Sequence, residues 1–347
     1  MKILLSSYSF APAVGGLETV SHLLAREFQA LGHQVIVATE TSALPSGEAE
    51  RSFEVYRRPT ASVLARLVRW SDISFHNNIT LSGVWPLLSI TRPWVIAHQT
   101  WLPDLGEPAG LRGRLKRLML RLAAANVSIS RAIADSLNVS SDVIGNPYDD
   151  SVFVRLSHIE RVADLIYVGR LVPDKGVDVM LRALAILASQ GKRPVTTIVG
   201  DGPSRAELEA MTARLGLSGN VTFVGTKMGG ALAELLNQHK IMVVPSKWEE
   251  PFGIVALEGI ACGCMVLAAR SGGLPEAVGP CGKIFLKNDH AALADDLALL
   301  LSRPELMAPY RAQAGEHLCK HFPQVVAERY LEVFRRALSD RGEKPEL

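Results

Sequence analysis

Two apolar patterns alternate along the chain. Short unbroken apolar runs read as strands buried on both faces, and stretches with apolar residues every three or four positions read as helices with one face on a core. "KILLSSY" is a run of the first kind. "TVSHLLAREFQALGH" is of the second, with Val20, Leu23, Leu24, Phe28 and Leu31 at helical spacing and Gly32 as its stop. "QVIVATE" is the next strand, and the glycine loop "PAVGGLE" joins the first strand to the helix. This is strand–loop–helix–strand, the unit of a parallel sheet. "DISFHNN", "PWVIAHQT", "ANVSIS" and "DVIGNP" continue the series.

The second half restarts it. "DLIYVGRL", "PVTTIVGDG", "VTFVG", "IMVVPS" and "MVLAAR" are strands, with helices over "KGVDVMLRALAILASQG", "SRAELEAMTARLGL", "ALAELLNQH" and "FGIVALEGIACG" between them. The pattern predicts an α/β protein of two doubly wound domains, residues 1–150 and 151–320, joined near "NPYDDSVFVRLSHIER". A last amphipathic helix, "PQVVAERYLEVFRRAL", falls in a segment 321–347. Ligands of open parallel sheets bind beyond the carboxyl ends of the strands. In two facing domains those ends line a cleft. The residues to weigh therefore follow strands: Gly15, Gly16, His98, Arg170, Lys175, the stretch from Gly200 to Pro203, Gly225 and the stretch from Ser246 to Glu258.

Composition agrees with a packed core. The chain has 347 residues, 48% hydrophobic and 21% charged, which is long for one domain and comfortable for two. A net charge of +2 gives no support to a nucleic-acid partner. The charge is unevenly spread, because residues 51–131 carry 12 Lys and Arg against 4 Asp and Glu, a local net of +8. Within that segment "GLRGRLKRLMLRLA" sets Leu111, Leu115, Leu118 and Leu122 on one helical face, with Arg112, Arg114, Lys116, Arg117 and Arg121 elsewhere. Residues 111–122 read either as a core-packed helix with a solvated basic back, the commoner case, or as a peripheral contact with anionic lipid. The 4 cysteines form no pair of C-x-x-C units and read as reduced thiols. "MKILLSS" lacks the h-region of a secretory signal, and no apolar run reaches the ~18 residues of a membrane span. The expected location is cytoplasmic, with a peripheral place on the inner membrane face as a further option.

In "VGRLVPDKG", Arg170 follows a strand and Lys175 precedes Gly176 and a helix. Two cations beside a helix N-terminus suit a diphosphate, although two exposed cations on a loop have the same pattern. "EEPFGIVALE" holds Glu250 and Glu258 in apolar surroundings. Pro251 fits the first helical position, so Glu250 is expected at the helix mouth, with Phe252, Gly253 and Ile254 offering free N–H groups. Carboxylates accept from sugar hydroxyls. The macrodipole alone would explain Glu250, but it explains Glu258, between Leu257 and Ile260, poorly. The Gly15–Gly16 pair is either a loop that approaches a ligand or a tight turn. His98, at the end of a strand, is either a satisfied structural residue or a group facing a ligand. D-x-D, H-E-x-x-H and EF-hand patterns are missing, so no metal site is expected. Without G-x-S-x-G a hydrolase elbow has no support, and without G-x-G-x-x-G a nicotinamide dehydrogenase is disfavoured.

Together these residues closely resemble the family 4 retaining glycosyltransferases of the GT-B fold. The likeness is strongest over about residues 163–287, in "VGRLVPDKG", "VGDGP", "FVG" and "PSKWEEPFGIVALEGIACG" with "GGLPE". It is looser in "GGLE", "AHQT" and "GNPYD". The resemblance implies two Rossmann-like domains facing across a cleft, acceptor on the first, nucleotide-sugar donor on the second, and the last helix crossing back to the first. It implies Arg170 and Lys175 at the donor diphosphate, Gly169 among the donor-binding residues, Glu258 at the ribose, and Val224 and Gly225 at the base. Glu250 would hold the transferred sugar, beside the amides of Phe252, Gly253, Ile254 and Val255. Gly15 and Gly16 would reach the donor from the first domain, and His98 would lie near the reacting sugar, a catalytic group with Arg170, Lys175 and Glu250. Met265 stands where the family often has proline, which touches a turn more than the chemistry. The implied activity is metal-independent sugar transfer from a UDP- or GDP-linked donor to a saccharide or lipid-linked acceptor, with no cofactor. A sugar-nucleotide epimerase or hydrolase, and a non-catalytic nucleotide-sugar-binding subunit, are the alternatives.

Overall fold

The computed structural model describes residues 1–13, 15–43, 52–102 and 111–339. Residues 340–347 of the last segment, and the side chains of Leu111 and Arg112 in the basic helix, lie outside the described residues. The chain divides into two compact units, one of Met1–Pro147 together with His321–Leu347, the other of Tyr148–Lys320.

The first unit is built on seven described parallel strands: β1 (Lys2–Ser7), β2 (Gln34–Thr39), β3 (Glu54–Arg57), β4 (Ile73–Asn77), β5 (Trp94–His98), β6 (Ala125–Ser128) and β7 (Asp142–Val143). Their spatial order is β3-β2-β1-β4-β5-β6-β7. The order reverses between β1 and β4, which makes that the switch point of a doubly wound sheet. Central strands read as unbroken apolar runs because both faces are covered: every residue of β4 and β5 is buried. The helix Gly16–Ala30 buries Val20, Leu23, Leu24 and Phe28 against the sheet, and Gly32 beyond it takes positive φ. The helix Pro323–Ser339 completes this core. Its Tyr330 and Phe334 form an aromatic cluster with Phe28 and Phe75, with ring centroids 5.2–5.5 Å apart for Phe75–Tyr330, Phe75–Phe334 and Phe28–Phe334.

The second unit has six described parallel strands: β8 (Ala163–Val168), β9 (Thr196–Val199), β10 (Val221–Phe223), β11 (His239–Val244), β12 (Met265–Ala269) and β13 (Gly282–Phe285). Their order, β10-β9-β8-β11-β12-β13, repeats the first pattern with its switch point between β8 and β11. The helix Val177–Ser189 sinks Val177, Met180, Leu181, Leu184 and Leu187 into the core over this sheet. Strands β3 and β13 lie at sheet edges and were not among the expected elements. "EVYR" and "GKIF" are short and only partly buried, so they lack the apolar run of a central strand.

The structure corrects the helix N-terminus after Glu250. The helix runs Ile254–Ala261 with Gly253 as N-cap at φ 106°, so Pro251 is not its first residue. The neighbouring loop holds the preceding stretch out of helical form. Gly273 N–H donates to the Glu250 carbonyl at 2.7 Å, and the Glu250 N–H donates to Ser271 Oγ at 3.3 Å. The chain can turn into the helix only at the left-handed glycine.

Candidate active site

In the second unit, three successive strand-end loops are stitched through their backbones. Leu171 N–H donates to the Asp201 carbonyl at 2.8 Å, Ser204 N–H to the Leu171 carbonyl at 3.0 Å, and Gly200 N–H to the Gly225 carbonyl at 2.9 Å. Gly169, Val224 and Gly225 thus belong to one rigid rim after β8, β9 and β10. The loop after β8 is tied in turn to the loop after β11, because the N–H groups of Lys247 and Trp248 both donate to the Asp174 carbonyl, at 2.8 and 3.1 Å. Gly176 makes this possible. At φ 71° a Cβ there would lie 2.0 Å from the Pro245 carbonyl oxygen. Lys247 pairs with Asp178 at 2.7 Å across the same junction.

Lys175 and Glu250 meet at the switch point. Lys175 Nζ is 2.6 Å from Glu250 Oε1, and Ser246 Oγ donates to the same oxygen at 2.6 Å. Glu250 is buried and Lys175 half-buried, so the pair is well shielded from screening. An ammonium has three donors, which leaves Lys175 able to serve a second anion. Arg170, two residues past β8, is exposed and has no ion pair among the described residues. The Tyr167 hydroxyl, which donates to the Arg170 carbonyl at 2.9 Å, fixes the backbone below it. Burial, with the nearby Glu250 charge, raises the Tyr167 pKa and keeps that donor protonated.

Glu258 sits on the helix Ile254–Ala261 between the buried Leu257 and Ile260. It keeps part of its surface open, yet the surrounding protein and the charge of Asp149 raise its pKa from 4.5 to about 7. No hydrogen bond or ion pair joins it to Lys175 or Glu250 among the described residues. The first N–H groups of this helix, at Ile254 and Val255, have no intrahelical partner by geometry, and Phe252 packs its ring inward at 3% exposure.

The remaining expected residues belong to the first unit. Gly15 is the N-cap of the first helix and Gly16 its first residue. His98 is buried at the end of β5, with Nε2 3.0 Å from Asn126 Oδ1. Burial lowers its pKa to about 4, so the ring is neutral at physiological pH. The structure therefore gathers Gly169, Arg170, Lys175, Glu250, Val224 and Gly225 on the strand ends of one sheet. Ser246, which opens the stretch weighed from the sequence, supports them together with Tyr167 and Ser271, which were not singled out. "PSKW" and "SGGLPE" show no periodic signal, and their serines matter only through tertiary contacts. Among the described residues no group of three His, Cys, Asp or Glu side chains is placed to hold a metal, and no helix is long and apolar enough to cross a membrane.

Residues 152–317 match the family described as glycosyl transferases group 1. Among curated proteins, D-inositol 3-phosphate glycosyltransferase 2 of Catenulispora acidiphila is 36% identical over 190 residues, 51% of this chain and 44% of that protein. The D-inositol 3-phosphate glycosyltransferase of Saccharomonospora viridis is 34% identical over 186 residues, 50% of this chain and 43% of that one. The chain thus spans less than half the length of these curated relatives. Among solved structures, sucrose-phosphate synthase from Thermosynechococcus elongatus superposes with a TM-score of 0.80 at 21% identity, covering 98% of this chain and 99% of that one. HepE of Anabaena, solved with UDP and glucose, gives 0.78 at 20% identity over 96% and 99%. At these identities the likeness establishes the fold, which is GT-B.

Proposed function

We propose that this chain, whose residues 152–317 belong to the glycosyl transferases group 1, moves a sugar from a nucleotide diphosphate sugar to a hydroxyl acceptor with retention of configuration. The observation that carries the reading is the Lys175–Glu250 pair, 2.6 Å apart at the switch point, with Arg170 on the same strand-end loop as Lys175 and without an ion pair among the described residues. A free ammonium face and a guanidinium suit a diphosphate, and the buried carboxylate beside them suits sugar hydroxyls. Glu258, with no hydrogen-bond or ion-pair partner among the described residues, is assigned to the ribose, and the rim at Val224 and Gly225 to the base. The open N–H groups of Ile254 and Val255 add donors.

Glu250 is already engaged by Lys175 and Ser246, which makes it a poor nucleophile. The reaction is therefore assigned to one face of the sugar. The acceptor oxygen bonds to the anomeric carbon as the bond to the diphosphate oxygen breaks, and that oxygen takes the acceptor proton. Arg170 and Lys175 stabilise the charge that develops on the leaving group. His98, neutral, can only orient through a hydrogen bond. Because HepE was solved with UDP, UDP-sugars are the first donors to try.

A thermal-shift panel of UDP, GDP, ADP and their sugar conjugates tests the reading. A true donor at 100 times its Kd adds about 2.7 kcal/mol of stability. No response to any of them overturns the assignment. Consumption of a bound donor without an acceptor would favour an epimerase or hydrolase, and binding without any turnover a partner subunit.

We also place the acceptor side near lipid. In the helix Leu111–Leu122, Met119 and Leu120 face the core, while Leu115, Leu118 and Leu122 are 39%, 50% and 53% exposed. This reverses the commoner reading of the sequence, in which the leucine face packs inward. Exposed leucines beside Arg114, Lys116, Arg117 and Arg121 fit an interfacial helix on anionic lipid, on the cytoplasmic face of a membrane. Failure to co-sediment with anionic vesicles at low salt would remove this part.

A further inference from the structure

The first unit has a pocket of its own at its switch point. It holds about 220 Å³ and is bounded by the ends of β1 and β2 and the turn after β4. Tyr8 and Trp85 line it, 63% and 42% exposed, an unusual display for two large aromatic side chains. Ser6 lines it as well. The residue is 8% exposed, and its Oγ has no hydrogen-bond partner among the described residues. A buried hydroxyl without a partner is costly and marks a place where a ligand or water completes the bonding. Thr80 Oγ1 accepts from Gly83 N–H at 3.1 Å, which leaves its own proton to donate. Glu40, on the rim, has no ion pair among the described residues. Among the described residues, no Lys, Arg or His lines the pocket.

We propose that this pocket takes a neutral, hydroxyl-bearing ring, an unphosphorylated pyranoside or cyclitol, as the part of the acceptor that the protein recognises. Tyr8 and Trp85 offer apolar faces to the ring's C–H groups. Ser6, Thr80 and Glu40 exchange hydrogen bonds with its hydroxyls. A phosphate on the ring would meet the Glu40 carboxylate and no cation among the described lining residues, and Arg58 beside it already spends its Nε on the Glu40 carbonyl at 3.0 Å, so the exchange for its hydration is unfavourable. The occupant therefore differs from the inositol 3-phosphate in the names of the curated relatives. The inference rests on the glycosyl transfer proposed above, and its test needs no turnover.

The experiment is saturation-transfer NMR on the full chain without donor. The probes are the methyl pyranosides of glucose, galactose and mannose, myo-inositol, and inositol 3-phosphate. At least one neutral ring should bind, and inositol 3-phosphate should bind more weakly. Tyr8→Ala and Trp85→Ala should each weaken the neutral ring by roughly tenfold or more. Tyr8→Phe and Trp85→Phe should restore it, which separates a lost contact from a lost fold. Their donor thermal shifts should match the wild type. Absence of binding by every neutral ring, a preference for inositol 3-phosphate, or binding that survives both alanine variants overturns the proposal. A chain that binds neutral rings but no nucleotide sugar would instead remove the transfer reading and leave the pocket assigned.

Discussion

Both sheets wind outward from a switch point in the same strand order, so their loops occupy equivalent places, yet the side chains at those places differ in kind. In the second unit the ends of β8 and β11 carry Arg170, Lys175 and Glu250. In the first unit the ends of β1 and β2 and the turn after β4 carry Ser6, Tyr8, Glu40, Thr80 and Trp85. One set suits a polyanion that must be neutralised as its bond breaks; the other suits a ring with apolar faces and hydroxyl edges. The fold supplies the position, and the chemistry is written in the few residues past each strand. The strand-end loops of the second unit are cross-bonded backbone to backbone, as a site for developing charge requires, since donors fixed in advance need no reorganisation during the reaction.

The largest effect expected from this contrast is on turnover. Lys175→Ala should lower donor consumption by about 10²–10³-fold, comparable to loss of one transition-state donor. Near-normal turnover would show that the charge at the second switch point is not used. Gly176→Ala comes next. It forces a Cβ onto the Pro245 carbonyl at a left-handed φ and should cost the second unit about 2–4 kcal/mol in denaturant unfolding. An unchanged midpoint would mean that the two loops are not locked as described.

Glu258 gives an intermediate effect with a definite sign. Its pKa is raised from 4.5 to about 7, so its ionised form is disfavoured in the folded protein. Stability from this group is fully present below about pH 4.5 and falls as pH rises through 7. Ribose hydroxyls donate to the ionised form, so donor affinity should move the other way and strengthen about tenfold from pH 6 to pH 8. Glu258→Gln should flatten that profile and raise the melting temperature at pH 8 more than at pH 5. A pH profile equal to wild type in the variant removes Glu258 from the donor site. The smallest effect concerns the first unit's surface. Leu118→Asp with Leu122→Asp should shift stability by no more than about 0.5 kcal/mol, as exposed positions do, while abolishing sedimentation with anionic vesicles. A large loss of stability would place those leucines in the core.

What the sequence revealed follows the same division. Strands covered on both faces announce themselves as apolar runs, so β1, β4, β5, β8, β11 and β12 were legible, whereas edge strands β3 and β13 were not. Arg170, Lys175, Glu250 and Glu258 stood out because charge inside an apolar passage is costly and needs a reason. The start of the helix at Ile254 was misplaced because Pro251 fits a first turn locally, and only the bonds from residues 271–273 rule that out. Tyr8 and Trp85 gave no signal at all. An aromatic residue after a strand reads as core until its exposure is known, and no spacing rule connects residue 8 to residue 85.

The helix Pro323–Ser339 has a consequence for how the molecule comes into being. The core of the first unit is shared between residues near the beginning of the chain, Phe28 and Phe75, and residues near its end, Tyr330 and Phe334. The second unit is continuous from Tyr148 to Lys320. On a ribosome, where domains usually close in the order in which they emerge, this order is inverted. The later half has all its parts first, and the earlier half must wait with its aromatic core incomplete until the final helix is made.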